Sequence, residues 1–257
     1  MRKILILVIK IKILFNIRSL YLFYYMKSIT SFKNFGTFTV AFLITFNLSS
    51  QTIHNISDPE DLTALSSTLG AGDTVILANG DYSSDARIKF SPTTGTSAMP
   101  ITFRAATPGG IKFTGGLQMS IGGDYVIVDG FYWQGGYGSS KVIEFRDGTD
   151  YANNSTIQNC AMDGLTVHPD DIEDGTSVKH NWIHMYGSYS TVINCSFMNK
   201  TNAGNIILLD LSYNADNSCD EVGHTISNNY FYKEPPLKTV ALVFRLDPKG
   251  HNTHFES

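Results

Sequence analysis

The chain has 257 residues, 42% of them hydrophobic and 16% charged, which suits one sizeable core and excludes a disordered or collagen-like chain. Its net charge of -4 conceals an asymmetry: residues 1–50 carry seven Lys/Arg and no Asp or Glu, leaving 12 Lys/Arg against all 23 Asp/Glu, or -11, over residues 51–257. A broad basic footprint for nucleic acid on the folded part is thereby excluded, and an anionic polymer can be held only by a local cluster of cations or by a bound metal.

The first 50 residues hold two basic-then-apolar blocks, Met1 to Tyr25 and Met26 onward. Met26 followed by Lys27, Lys33, the run Gly36-Thr-Phe-Thr-Val-Ala-Phe-Leu-Ile-Thr-Phe46 and the small residues Ser49-Ser50 has the three regions of a secretory signal peptide, with Met26 as the start and a cut near Ser50/Gln51. The second apolar run is broken by threonines and falls short of the roughly 20 residues needed to span a bilayer. A secreted, periplasmic or cell-surface protein with no stable membrane span after processing is therefore expected, with 51–257 as its one domain.

From Ser57 to Gly70 the sequence predicts a helix, with a cap, Pro59 in the first turn, acidic residues at the start, apolar Leu62, Leu65 and Leu69, and a terminal glycine. Beyond it the chain reads as nearly all β. Short runs recur between Gly, Asn and Asp turns, among them Thr74–Leu77, Ile101–Phe103, Ile111–Phe113, Tyr125–Val128, Val142–Phe145 and Ile206–Leu209.

Self-similarity is the stronger signal. Thr156-Ile-Gln-Asn-Cys-Ala-Met162, Thr191-Val-Ile-Asn-Cys-Ser-Phe197 and Thr225-Ile-Ser-Asn-Asn-Tyr-Phe231 share one pattern, and Val126-Ile-Val-Asp-Gly-Phe-Tyr132 reads as a weaker copy with Asp129 in the Asn slot. The slots at 129, 159, 194 and 228 step by 30, 35 and 34 residues, the spacing of stacked supersecondary units. The expected fold is all-β, a parallel β-helix whose equivalent side chains stack about 4.8 Å apart, with the helix capping its N-terminal end. Asn would sit at the turns, tolerating a left-handed backbone and bonding to the Asn of neighbouring coils. A β-sandwich is the alternative, but its turns recur every 8–12 residues or so. Cys160 and Cys195 occupy equivalent slots and read as small packing residues; with Cys219 they make an odd number and no disulfide framework.

Four constellations remain. Asp170, Asp171, Glu173 and Asp174 read first as a solvated turn, with a hard-cation site as the alternative. His180, Trp182, His184 and Tyr186 alternate, which would put them on one strand face; they read first as packing residues, with an aromatic ring stacked on sugar as the alternative. Lys200 and Lys233 follow repeat copies and would form a basic line for an acidic polymer, or keep coil edges soluble. Asp210 is the one strand-embedded carboxylate seen, too few for the paired acids of a glycoside hydrolase.

The ordered set Gly70-Ala-Gly-Asp-Thr-Val-Ile-Leu-Ala-Asn-Gly-Asp-Tyr82, Pro100-Ile-Thr-Phe-Arg-Ala-Ala106, Phe113-Thr-Gly-Gly116, Val126-Ile-Val-Asp-Gly-Phe-Tyr-Trp133, Tyr186-Gly-Ser-Tyr189, Asn194-Cys-Ser-Phe-Met-Asn-Lys200 and His224-Thr-Ile-Ser-Asn-Asn-Tyr-Phe-Tyr-Lys-Glu-Pro-Pro-Leu237 resembles the alginate lyase and chondroitinase B family, polysaccharide lyase family six. Asn199-Lys200 and the segment Tyr230–Leu237 look more like its alginate-cleaving members. The resemblance implies a right-handed parallel β-helix that cleaves uronate polysaccharides by β-elimination: a calcium ion neutralises the uronate carboxylate, a lysine takes the C5 proton, and an arginine assists the leaving oxygen.

In Pro235-Pro-Leu-Lys-Thr-Val-Ala-Leu-Val-Phe-Arg-Leu246, Arg245 matches the family's strand arginine, while Thr239 falls where its metal-ligating Asn should be. The segments that match the family's two Glu ligands, lysine base and catalytic arginine are not found before Ser257. The expectation is thus a C-terminally truncated, incomplete lyase domain, a monomer acting on acidic polysaccharide, with Lys200, Lys233 and Arg245 as substrate-binding residues and no catalytic or metal ligand assigned. A non-catalytic carbohydrate-binding β-helix, or an inactive fragment, stays open beside it.

Overall fold

The computed structural model describes residues 51–91, 93–138, 140–168, 180–201, 204–210 and 223–233, with the backbone of two short strands at 244–245 and 254–256. All lie within one unit of the chain, Asn47–Ser257. The leader, the acidic turn at 170–174, Cys219 and Thr239 fall outside the described residues.

Strand β1 (Ile53–Ile56) and helix α1 (Asp61–Ser66) open the domain. The first coil is β2 (Thr74–Leu77), β3 (Gly80–Tyr82) and β4 (Arg87–Phe90); the second is β5 (Ile101–Ala105), β6 (Ile111–Phe113) and β7 (Gln118–Ile121). The third runs through β8 (Val126–Asp129), β9 (Tyr132–Gln134), β10 (Tyr137–Gly138) and β11 (Lys141–Glu144), followed by the hairpin β12 (Arg146–Asp147) and β13 (Asp150–Tyr151). The fourth has β14 (Thr156–Gln158), β15 (Ala161–Asp163), β16 (Thr166–Val167) and β17 (Asn181–Met185), and the fifth β18 (Thr191–Ile193), β19 (Ser196–Met198) and β20 (Ile207–Asp210). Finally come β21 (Thr225–Ser227), β22 (Tyr230–Tyr232), β23 (Phe244–Arg245) and β24 (His254–Glu256).

Three long sheets result, in the orders β1-β2-β5-β8-β14-β18-β21-β24, β3-β6-β9-β15-β19-β22 and β4-β7-β11-β17-β20-β23. Every pairing within them is parallel, and each strand meets the equivalent strand of the next coil. This is a parallel β-helix. A sandwich of antiparallel hairpins is excluded, because parallel neighbours need a full coil of chain between them.

Strand alternation explains the core. In the first sheet Val75, Phe103, Val128, Ile157, Val192 and Ile226 stand level on successive coils, all buried, while Thr74, Thr102, Thr156, Thr191 and Thr225 occupy the preceding register position. In the second sheet Phe113, Trp133, Met162, Phe197 and Phe231 line up the same way, with ring centroids 5.1 Å apart for Phe113–Trp133 and 5.2 Å for Phe197–Phe231. Phe131 fills the corner between these sheets, 4.5 Å from Phe103 and 5.5 Å from Phe113. Cys160 and Cys195 are buried free thiols in the equivalent corner of the next two coils, as the repeat predicts; burial pushes the Cys160 thiol up.

The turns correct one detail of the repeat. Asn159, Asn194 and Asn228 have φ near +54°, yet in the third coil the left-handed residue is Gly130, not Asp129. The sheet register sets Asp129 level with Gln158, so the copy begins at Ile127 and Asp129 ends its strand. Glycine there carries no Cβ penalty, which lets Asp129 point its carboxylate along the stack. Asn159 Nδ2 donates to Asp129 Oδ1 at 2.8 Å, and no amide-to-amide bond joins Asn159 to Asn194 among the described residues. Continuity comes instead from the backbone: Gly130 N donates to Gln158 O, Asn159 N to Ile193 O and Asn194 N to Ser227 O. A second turn repeats the device after the second sheet, at Gly135, Gly164 and Asn199.

Helix α1 is shorter than Ser57–Gly70 because Asp58 and Pro59 form a three-residue-spaced turn ahead of it, where Asp58 Oδ1 accepts the Glu60 N–H. It does cap the stack: Leu62 is fully buried in the core, with Leu65 and Leu69 packed against it. Thr63 Oγ1 accepts the Lys89 N–H, and Thr93 Oγ1 donates to Ser66 O, fastening the helix to the first coil. Among the described residues no helix is long and apolar enough to cross a membrane.

Candidate functional site

On the third sheet Ile88, Met119, Ile143 and Ile183 are level and buried in the core. Strand alternation therefore turns Arg87, Lys89, Gln118, Ser120, Glu144 and His184 to the opposite face, where residues of successive coils lie about 4.8 Å apart. Arg87, Gln118, Ser120 and Glu144 form one bonded cluster with Lys141 and Arg146. Its centre is Glu144, only 7% exposed. Lys141 Nζ donates to Glu144 Oε1 at 2.6 Å, Arg146 Nε to the same oxygen at 2.7 Å, and Arg87 Nη1 to Oε2 at 3.4 Å. Arg87 is held from the coil between by Ser120 Oγ at 3.0 Å and by Gln118 Oε1. Burial opposes ionisation of Glu144, but the Lys141 and Arg146 bonds outweigh it and keep the carboxyl below its usual range. Lys89 Nζ pairs with Asp147 Oδ1 at 2.9 Å on the adjoining hairpin.

Aromatic residues extend the cluster toward the fifth coil. The His184 and Tyr186 rings stack at 4.3 Å and 21°, Arg146 lies 4.2 Å over Tyr186, and Lys141 lies 5.5 Å from the same ring. His184 Nε2 sits 3.3 Å from Asp210 Oδ2. Burial and then Lys141 hold His184 down to about 4 against the pull of Asp210, so the ring is neutral at pH 7.

The four alternating residues do not share one open face. Trp182 is fully buried, its ring 6.4 Å from Phe197 of the second sheet, and His180 is buried beside it; only His184 and Tyr186 reach the polar cluster. Lys200 goes with Trp182: it is 8% exposed, donates from Nζ to His180 O at 3.0 Å and lies 5.4 Å over the indole. Burial lowers its ammonium to about 8. Lys233 is half-buried, and its equivalent one coil earlier is Asn199, not Lys200, because Met198 pairs with Tyr232. Arg245 is level with Asp210 across β20 and β23. Of the three positions expected from sequence, Lys200 is turned inward, Lys233 follows the second sheet and Arg245 lies on the third sheet, while the bonded cluster itself is made of Arg87, Lys141, Glu144 and Arg146. Sequence offered a partial signal for it, since Glu144 and Arg146 alternate along one run, but Arg87 is 57 residues away from Glu144 and joins only through coil stacking.

The profile of the chondroitinase B family matches residues 56–241, most of the chain. The chain belongs to that family. Solved structures similar to it are polysaccharide lyases of family six. A mannuronic acid-specific enzyme from human gut microbiota aligns with a TM-score of 0.60 at 23% identity, over 80% of this chain and 44% of its own. The alginate lyase AlyGC aligns with a TM-score of 0.58 at 22% identity, over 70% and 26%, and the lyase Pedsa3628 of Pseudopedobacter saltans with 0.55 at 20%, over 70% and 46%. An alginate lyase solved with a trisaccharide gives 0.52 at 22% identity. At these identities the likeness shows the shared β-helix, and this family member spans less than half the length of each of the three enzymes whose coverage is given above. No curated protein matches it in sequence.

Proposed function

We propose that this chain holds an acidic, uronate-containing polysaccharide of the alginate type along the outer face of the third sheet, as part of a lyase that cleaves it by β-elimination. The observation that carries the reading is the cluster of Arg87, Lys141 and Arg146, a set of cations on a domain region that is otherwise acidic. Guanidinium and ammonium groups bind a uronate carboxylate. The mannuronic acid-specific and trisaccharide-bound relatives support the substrate class.

In β-elimination a base removes the C5 proton beside the carboxylate, the C4–O bond breaks as the C4–C5 double bond forms, and the leaving oxygen takes up a proton. Positive charge at the carboxylate stabilises the carbanion-like transition state. Among the described residues, Arg87, Lys141 and Arg146 are suited to that task. The family resemblance implies calcium for it. The described residues do not fit such an ion: they include no group of three or more His, Cys, Asp or Glu able to hold one, and Glu144 already bonds three cations. Binding without cleavage is the second reading, favoured by the burial of His184 and of Tyr186, over which Arg146 lies. The basic-then-apolar leader supports export to where such polymers occur.

Titration of the full chain with hexamannuronate and with a neutral hexasaccharide of glucose, by calorimetry at several salt concentrations, tests the reading. Affinity for the acidic sugar that weakens with salt, and none for the neutral one, is expected. Equal affinity for both, or none for either, would overturn it. Ultraviolet absorbance from a new double bond, followed with and without chelator, separates cleavage from binding.

A further inference from the structure

The cation cluster on the third sheet is not open to an incoming anion, because it already surrounds one. Glu144 gives Oε1 to both Lys141 and Arg146, at 2.6 and 2.7 Å, and Oε2 to Arg87 at the longer 3.4 Å. We infer that Glu144 is an internal stand-in for the substrate carboxylate: it occupies the subsite formed by Arg87, Lys141 and Arg146, and an acidic sugar binds there by displacing it. The inference rests on the polysaccharide-binding reading and deepens it, since it names Glu144 as the residue that competes with the substrate carboxylate for these cations.

The geometry fits a displaceable anion. Three cations around one carboxylate leave the cluster with surplus positive charge even when Glu144 is bound, so a second carboxylate is attracted rather than repelled. Arg87 is the natural entry point: its bond to Glu144 is the longest of the three, and Ser120 and Gln118 from the neighbouring strand keep its guanidinium in place when that bond opens. Arg146 keeps its seat over Tyr186 in the same way. The other charged groups facing the cluster are the Lys89–Asp147 pair and the His184–Asp210 pair, each with its own partner. A resident carboxylate prevents three unscreened cations from repelling one another in the free protein, and it weakens the binding of any acidic ligand by the work of displacing it.

Glu144→Gln tests this, because the amide keeps the shape and one acceptor oxygen but loses the charge. Hexamannuronate affinity is expected to rise about tenfold, with a steeper dependence on salt, while the neutral hexasaccharide stays unbound. Glu144→Asp, which keeps the charge but draws it back by one methylene, guards against failure of the amide variant to fold and is expected to tighten binding by a smaller factor. If wild type binds and neither variant binds more tightly, the inference is wrong and the polysaccharide reading stands. If no form binds hexamannuronate, both are wrong. Binding by the amide variant alone would overturn both, since the wild-type chain would then hold no acidic sugar.

Discussion

At the scale of single residues, three imidazoles carry the clearest consequence of burial. His180 and His224 are fully inaccessible, and His184 nearly so. Burial lowers each to about 4, with Lys200 adding to the effect at His180 and Lys141 at His184. The Ser190 N–H donates to His224 Nδ1 at 3.2 Å, which requires that nitrogen to be bare and places the proton on Nε2, a buried atom with no partner among the described residues. In the unfolded chain a histidine takes up its proton near pH 6.5. Between about pH 6.5 and 4 the unfolded state therefore binds more protons, so stability is complete above that window and falls as the pH falls through it. Urea midpoints measured from pH 7 to pH 4.5 are expected to decline steadily, by up to about 1.4 kcal/mol per pH unit for each imidazole. His224→Gln should flatten that decline by roughly one third, whatever it does to stability at pH 7, since one of three imidazoles is removed. A slope identical to wild type would mean that His224 is not held neutral.

At the scale of the element, the turns and the cap decide how the coils stay in register. Asn159 combines a φ of 54° with a side-chain bond to Asp129 on the coil before it. Asn159→Gly keeps the backbone preference and loses only the bond, whereas Asn159→Ala loses both. The alanine variant is expected to be less stable than the glycine variant by about 1–2 kcal/mol, the cost of placing an ordinary L-residue in the left-handed region. Equilibrium denaturation of the pair reads that difference directly, and near-equal midpoints would rule out the left-handed turn. For the cap, Leu62→Ala should cost about 3 kcal/mol, because the side chain is fully buried and its loss leaves a cavity at the end of the stack. Uncovering the first coil also exposes apolar rungs, so light scattering should show self-association at concentrations where wild type stays dispersed.

At the scale of the whole molecule, the fold was legible in the sequence because a solenoid writes its geometry locally. Thr156–Met162, Thr191–Phe197 and Thr225–Phe231 each specify one strand, one left-handed turn and the start of the next strand, and coil-to-coil pairing follows from repetition alone. The misplaced third copy shows the limit of that logic. With Asp129-Gly130 two candidates for the turn stood side by side, and only the pairing of Gln158 with Asp129 selected the glycine. The site was much less legible. Lys200 reads as a basic edge residue, yet it is drawn inward over Trp182, and the alternation of His180 to Tyr186 breaks where the start of β17 joins the corner with the second sheet.

The period of the coils, the apolar ladder inside them, the stacked thiols and the helix that closes the first coil can all be read along the chain, because each depends on residues near one another or on repetition of the same short pattern. Which charges meet depends on folding. Arg87, Gln118, Ser120 and Glu144 come from three successive coils, and their bonds depend on register across strands and on which face each strand turns outward. Stacking at a spacing of about 4.8 Å brings together side chains that are 31 to 57 residues apart, and no local pattern in the chain encodes those partners.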